Sequence, residues 1–223
     1  MLTYRRAGKL YSPAMTQTAN IGASGPDTGA APLIHPLYVR ITHWINALAM
    51  LVMIGSGWQI YNASPLFAFT FPRSSLGGWL AGGLLWHFAA MWLLVVNGLI
   101  YVAIGLATGR FRRKFLPIRP REVVGDAKAA LTGTLRHDDL SRYNAVQKLV
   151  YVGILLTGVV IVLSGLAIWK PVQFRPLADL FGGFDAARYV HFFAMAAILA
   201  FLVLHIVMAI LVPKSLRAMI TGR

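Results

Sequence analysis

Apolar residues run almost unbroken through four stretches of the chain, at 37–60, 79–107, 146–169 and 188–212, with shorter polar and charged segments between them. A run of this length and uniformity is too long for a strand or for a core helix of a soluble domain. About 20 residues of helix cross a hydrocarbon core, so the pattern predicts an all-α integral membrane four-helix bundle. The second stretch is long enough to tilt or to project beyond the core. Trp58, Trp79 and Trp169 fall at stretch ends, where interfacial anchors belong. Residues 1–34 mix Ser, Thr, Gly, Pro and Ala without periodicity and read as a flexible tail. Residues 35–223 form the transmembrane domain. Tyr4-Arg5-Arg6 lacks a nearby apolar run, so it reads as part of a basic tail and not as an export signal. Residues 120–135 predict a short helix lying on the membrane surface.

Composition supports the membrane reading. The chain is 57% hydrophobic and 13% charged, whereas soluble domains run near a quarter charged. A net charge of +14 would ordinarily raise nucleic acid as a partner. The cations here sit in blocks between apolar runs, which excludes that reading and fits loops facing anionic membrane lipids. Seventeen of the 21 Lys and Arg lie before residue 41, in 108–148 or after residue 212; the other two loops hold Arg73, Lys170, Arg175 and Arg188. This asymmetry predicts both termini and the 108–148 loop in the cytoplasm. The opposite loop at 61–78 carries Phe67, Phe69 and Phe71 in alternation, as interfacial anchors or as a docking face for a partner. There are no cysteines, so disulfides, thiolate zinc sites, cysteine-ligated clusters and covalently attached haem are excluded.

Four of the six histidines, His43, His87, His191 and His205, fall inside the apolar stretches; His35 and His137 do not. Ionisable groups within spans are costly and usually functional. His191 and His205 are fourteen residues apart, which places them on one helix face about 21 Å apart along the axis. Alternating helix direction then matches His43 with His205 in depth near the cytoplasmic side, and His87 with His191 near the outer side. Two pairs, each bridging two helices, suit bis-histidine haem. A zinc or copper site would gather three or four ligands at one depth, and a proton relay would need Asp or Glu, which the four stretches lack. Arg40 and Arg188 each stand three residues before a histidine and are candidate partners for haem propionates, or ordinary snorkelling arginines. Gly55, Gly57, Gly98, Gly105, Gly153, Gly158 and Gly165 either permit close helix approach or make room for a flat macrocycle.

The segment Arg40-Ile-Thr-His43-Trp-Ile-Asn-Ala resembles the first-helix signature of prokaryotic di-haem cytochrome b proteins. These are the membrane cytochrome b subunits of formate dehydrogenases, nickel–iron hydrogenases and thiosulfate reductases. The four-histidine pattern and the tail Pro213-Lys-Ser-Leu-Arg-Ala-Met-Ile-Thr-Gly222 are similar too, so the resemblance covers about 36–223. It implies two haem b groups, one held by His87 and His191 and the other by His43 and His205. It also implies a multi-pass protein of the bacterial inner membrane that carries electrons between quinone and a periplasmic catalytic redox subunit of molybdoenzyme or hydrogenase type. The family's quinone site lies at the start of the third span, where Asn144, Gln147, Lys148 and Tyr151 share one helix face. His137, Asp138 and Asp139 lie just upstream as a proton route. A polar helix start at the interface would look the same. Two other functions stay open: a stand-alone di-haem superoxide:quinone oxidoreductase, and a non-redox membrane anchor subunit.

Overall fold

A computed structural model describes residues 33–132 and 143–223. Those residues form helices only: α1 (Leu37–Ala63), α2 (Leu80–Ala107), α3 (Arg110–Phe115), α4 (Pro120–Leu131), α5 (Ala145–Trp169), α6 (Arg175–Leu180), α7 (Phe184–Leu211) and α8 (Pro213–Thr221). Four of them, α1, α2, α5 and α7, are 25 to 28 residues long and apolar enough to cross a membrane. At 1.5 Å per residue each runs to about 40 Å, more than a core of about 30 Å needs. The tail at 1–32 and the segment carrying His137, Asp138 and Asp139 lie outside the described residues.

Local chemistry sets the boundaries. Gly109 has φ of 63°, a conformation that favours glycine, and it separates α2 from the basic α3. Asn144 caps α5 through a reciprocal pair in which its side chain accepts from the Gln147 N–H and the Gln147 side chain accepts from the Asn144 N–H. Asp126 of α4 also accepts from the Ala145 N–H at 2.7 Å, placing a carboxylate at the start of α5. Gly182 and Gly183, with φ of 87° and 100°, turn the chain from α6 into α7. That turn starts the fourth span at Phe184, four residues ahead of its predicted start. Trp79 and Trp169 stand at helix ends as expected, whereas Trp58 lies inside α1 and stacks on Phe71 with ring centres 4.7 Å apart.

The bundle is two helical hairpins. α1 packs along α2 and α5 along α7, while contacts between the hairpins are sparse. The buried positions are mostly small: Ala49, Ser56, Gly83 and Ala90 in the first hairpin, Ser164, Ala167, Ala187 and Ala194 in the second. Small residues let membrane helices approach closely, and large apolar side chains such as Leu85, Leu99 and Leu204 point outward, where lipid solvates them. Asn97 of α2 ties the first hairpin by donating to the Thr42 carbonyl at 2.8 Å and to Asn46 Oδ1 at 2.6 Å. At one end of the bundle the two described chain ends meet, Ile34 N–H donating to the Gly222 carbonyl at 2.8 Å. The other end carries the 64–79 and 170–183 connections; these are called here the terminal end and the loop end.

Candidate functional site

Each span histidine has a partner on another hairpin. His43 of α1 faces His205 of α7 at the terminal end, with ring centres 6.0 Å apart and planes at 50°. His87 of α2 faces His191 of α7 toward the loop end, at 6.4 Å and 64°. Two imidazoles bonded to one metal from opposite sides, each at about 2 Å, have ring centres about 6 Å apart. Both separations therefore fit a single ion between each pair of rings. No cluster of three or more His, Cys, Asp or Glu able to hold a metal occurs among the described residues. The residues fit two bis-histidine sites, with α7 contributing to both.

The two sites differ in their surroundings. At the loop end, Ser56 Oγ lies 3.1 Å from His87 Nδ1, and Ser164 Oγ lies 3.1 Å from His191 Nδ1. The Ile161 carbonyl is a second partner of His191 Nδ1, at 3.0 Å. Both serines are fully buried. At the terminal end His43 Nδ1 is buried without a hydrogen-bond partner, and His205 packs on Phe201. At the same end His35 is buried; desolvation and then the charges of Arg110, Lys114, His43 and Arg40 hold its pKa down at about 4, so it is neutral at pH 7. Burial likewise pushes the Tyr143 phenol up, with the Arg110 guanidinium acting the other way.

The two candidate arginines reach protein carbonyls. Arg40 donates to the Ile220 carbonyl, joining α1 to α8. Arg188 donates to the backbone carbonyl and hydroxyl of Ser64 and lies 3.8 Å from Asp185. Of the four candidate quinone residues, Asn144 and Gln147 form the cap of α5, Lys148 Nζ lies 3.4 Å from the Pro117 carbonyl, and Tyr151 packs edge-on to Tyr143 at 4.9 Å. They do share one face, and that face meets the aromatic side chains of α3 through Phe115.

At the loop end Phe67, Phe69 and Phe71 fold back onto Tyr61 and Phe192 as one aromatic cluster, with Phe67 and Phe69 still partly exposed. Sequence reasoning did not single out Ser56 or Ser164. The available signal was their repetition: each is followed by glycine inside an apolar run, as Ser56-Gly57 and Ser164-Gly165.

Residues 34–222 match the family described as prokaryotic cytochrome b561. The chain is also 52% identical over 190 residues to a protein of Azospira oryzae named "Putative protein-methionine-sulfoxide reductase subunit YedZ1". That match spans 85% of this chain and 96% of the relative.

Proposed function

Since the chain belongs to the prokaryotic cytochrome b561 family, whose members are membrane electron carriers with haem b, we propose that it is a di-haem subunit linking the quinone pool to a periplasmic redox enzyme. The observation that carries this reading is the geometry of the two histidine pairs, each at the ring separation of a single metal. Haem b supplies one-electron chemistry when bound. His43 and His205 would hold one haem iron and His87 and His191 the other. α7 fixes their spacing, and the apolar spans keep water from both sites. Arg40 and Arg188 place a cation at either end of the bundle, where each would be available to a haem propionate.

The cation-rich terminal end faces the cytoplasm and the loop end faces the periplasm. Quinol is oxidised at the start of α5, where Lys148 and Tyr151 supply donors beside the terminal-end pair. The name of the Azospira relative supports a partner that reduces methionine sulfoxide in proteins. That reaction takes two electrons and two protons, giving a thioether and water. Oxidation of one quinol releases two electrons and two protons, so electrons run from quinol toward the partner.

The test is haem content and spectral assignment. A pyridine haemochrome assay of the purified chain is expected to give two haems. Replacing His43 or His205 with Ala removes one spectral component, and replacing His87 or His191 removes the other. One haem or none, or a shared loss in His43→Ala and His191→Ala, overturns the reading.

A further inference from the structure

The two loop-end rings are held in the same way by two different helices. On α1 the cradle is Met53, Ser56 and Gly57; on α5 it is Ile161, Ser164 and Gly165. In each, the serine hydroxyl stands against the ring's Nδ1, the backbone of the residue three before the serine is a further partner of the ring, and the glycine lies beside the ring's Cε1 edge. Ser164 Oγ and the Ile161 carbonyl lie 3.1 and 3.0 Å from His191 Nδ1. Ser56 Oγ lies 3.1 Å from His87 Nδ1, and the Met53 backbone is a further partner of that ring. A Cβ at Gly57 would come within 3.5 Å of His87 Cε1, and one at Gly165 within 3.2 Å of His191 Cε1. The Gly165 contact is tighter than van der Waals contact, so a side chain there would press on the His191 ring, whereas the Gly57 contact is an ordinary one.

The direction of these hydrogen bonds is fixed by chemistry. A carbonyl oxygen only accepts, so His191 Nδ1 carries the proton. Ser56 already donates to the Val52 carbonyl at 2.6 Å, which leaves its lone pairs to accept from His87. Nε2 of each ring is then the atom left to donate a lone pair, and the two ring centres lie 6.4 Å apart. A ring whose Nδ1–H is hydrogen-bonded is more basic and a stronger ligand through Nε2. A stronger neutral donor stabilises the more positive oxidised iron over the reduced one.

On the di-haem reading, on which this rests, we propose that Ser56 and Ser164 are positioning residues that lock His87 and His191 in the Nδ1–H tautomer and lower the reduction potential of the loop-end site. The terminal-end pair lacks this device at His43, whose Nδ1 has no hydrogen-bond partner. The effect is therefore confined to one of the two redox components.

The experiment is a potentiometric titration of the purified full-length chain, with haem counted in every sample. Ser56→Ala and Ser164→Ala each raise the midpoint of the component that His87→Ala removes, and the double variant raises it further. The component removed by His43→Ala stays in place. Ser164→Thr, which keeps a hydroxyl, titrates like the unmodified chain. Two haems with neither midpoint moved, movement of the His43 component, or Ser164→Thr moving as far as Ser164→Ala overturns the inference alone. If Ser164→Ala loses a haem, retention in Ser164→Thr upholds the role of the hydroxyl and loss in both overturns it. Fewer than two haems in the unmodified chain overturns the di-haem reading and this inference with it.

Discussion

A polar side chain in the middle of a membrane span must find its partner inside the protein, because lipid offers none. Asn97 does so with two bonds to α1, one of them to the residue before His43. Asn97→Ala removes both and leaves Asn46 to find a new donor. The expected cost is about 1 kcal/mol, since measured side-chain hydrogen bonds in membrane bundles rarely exceed about 2 kcal/mol. Thermal unfolding in detergent with the haem band as probe measures it, and an unchanged midpoint would show that Asn97 contributes nothing to the hairpin. The four histidines were legible in the sequence because an apolar background makes each one conspicuous. The serines were not. Serine in a membrane helix ordinarily bonds a carbonyl of its own preceding turn, and both do that here with Val52 and Ile161. Their second role depends on which ring lies across the groove, which only the packing reveals. Arg40 and Arg188 were legible as cations beside histidines, but their bonds to Ile220 and Ser64 join parts of the chain that no local pattern relates.

The spans are the most legible elements, because long apolar runs cannot be anything else in a chain of this composition. The membership in a cytochrome b family drawn from the Arg40–His43 segment and the four histidines is borne out. Boundaries drift where polar residues continue a helix beyond the apolar run: α7 begins at Phe184 and takes in Asp185. The short α3, α6 and α8 escaped notice, since six to nine residues carry too little periodicity, and Pro176 and Pro213, which open α6 and α8, also mark loops. The helix expected within 120–135 is present as α4, described from Pro120 to Leu131. At the start of α5, capping and quinone binding draw on the same side chains, and one substitution separates them. Asn144→Ser keeps a good N-cap while removing the amide. If Asn144 also holds quinone, haem reduction by a quinol analogue slows several-fold in Asn144→Ser with both haems retained. Lys148→Leu, which leaves the cap intact, slows it as well. Normal rates in both would place quinol elsewhere.

Across the described residues, the cations of α3 and α4 gather toward the terminal end. The loop end exposes Val172, Leu180 and Phe69 beside charges of both signs such as Arg175, Asp179 and Asp185, a surface suited to a protein partner. The terminal side exposes Leu116 and Val124 near the cations of α3 and α4, a surface suited to an anionic leaflet. A photo-cross-linker at Val172 or Leu180 is expected to trap the periplasmic subunit in native membranes, and one at Leu116 or Val124 is not. The reverse result would invert the proposed topology. Between the ends, the two hairpins touch little, and every histidine pair spans the gap from one hairpin to the other. On the proposed ligation, what the chain lacks in helix contacts its irons provide. Without them the two hairpins would be held by a few side-chain ties, among them Arg40 to Ile220, Arg188 to Ser64 and Tyr61 to Phe192. On that ligation biogenesis would carry a checkpoint: in a cell starved of haem the weakly joined halves are expected to lie more open to membrane proteases, and the amount of protein that survives is expected to follow the supply of cofactor.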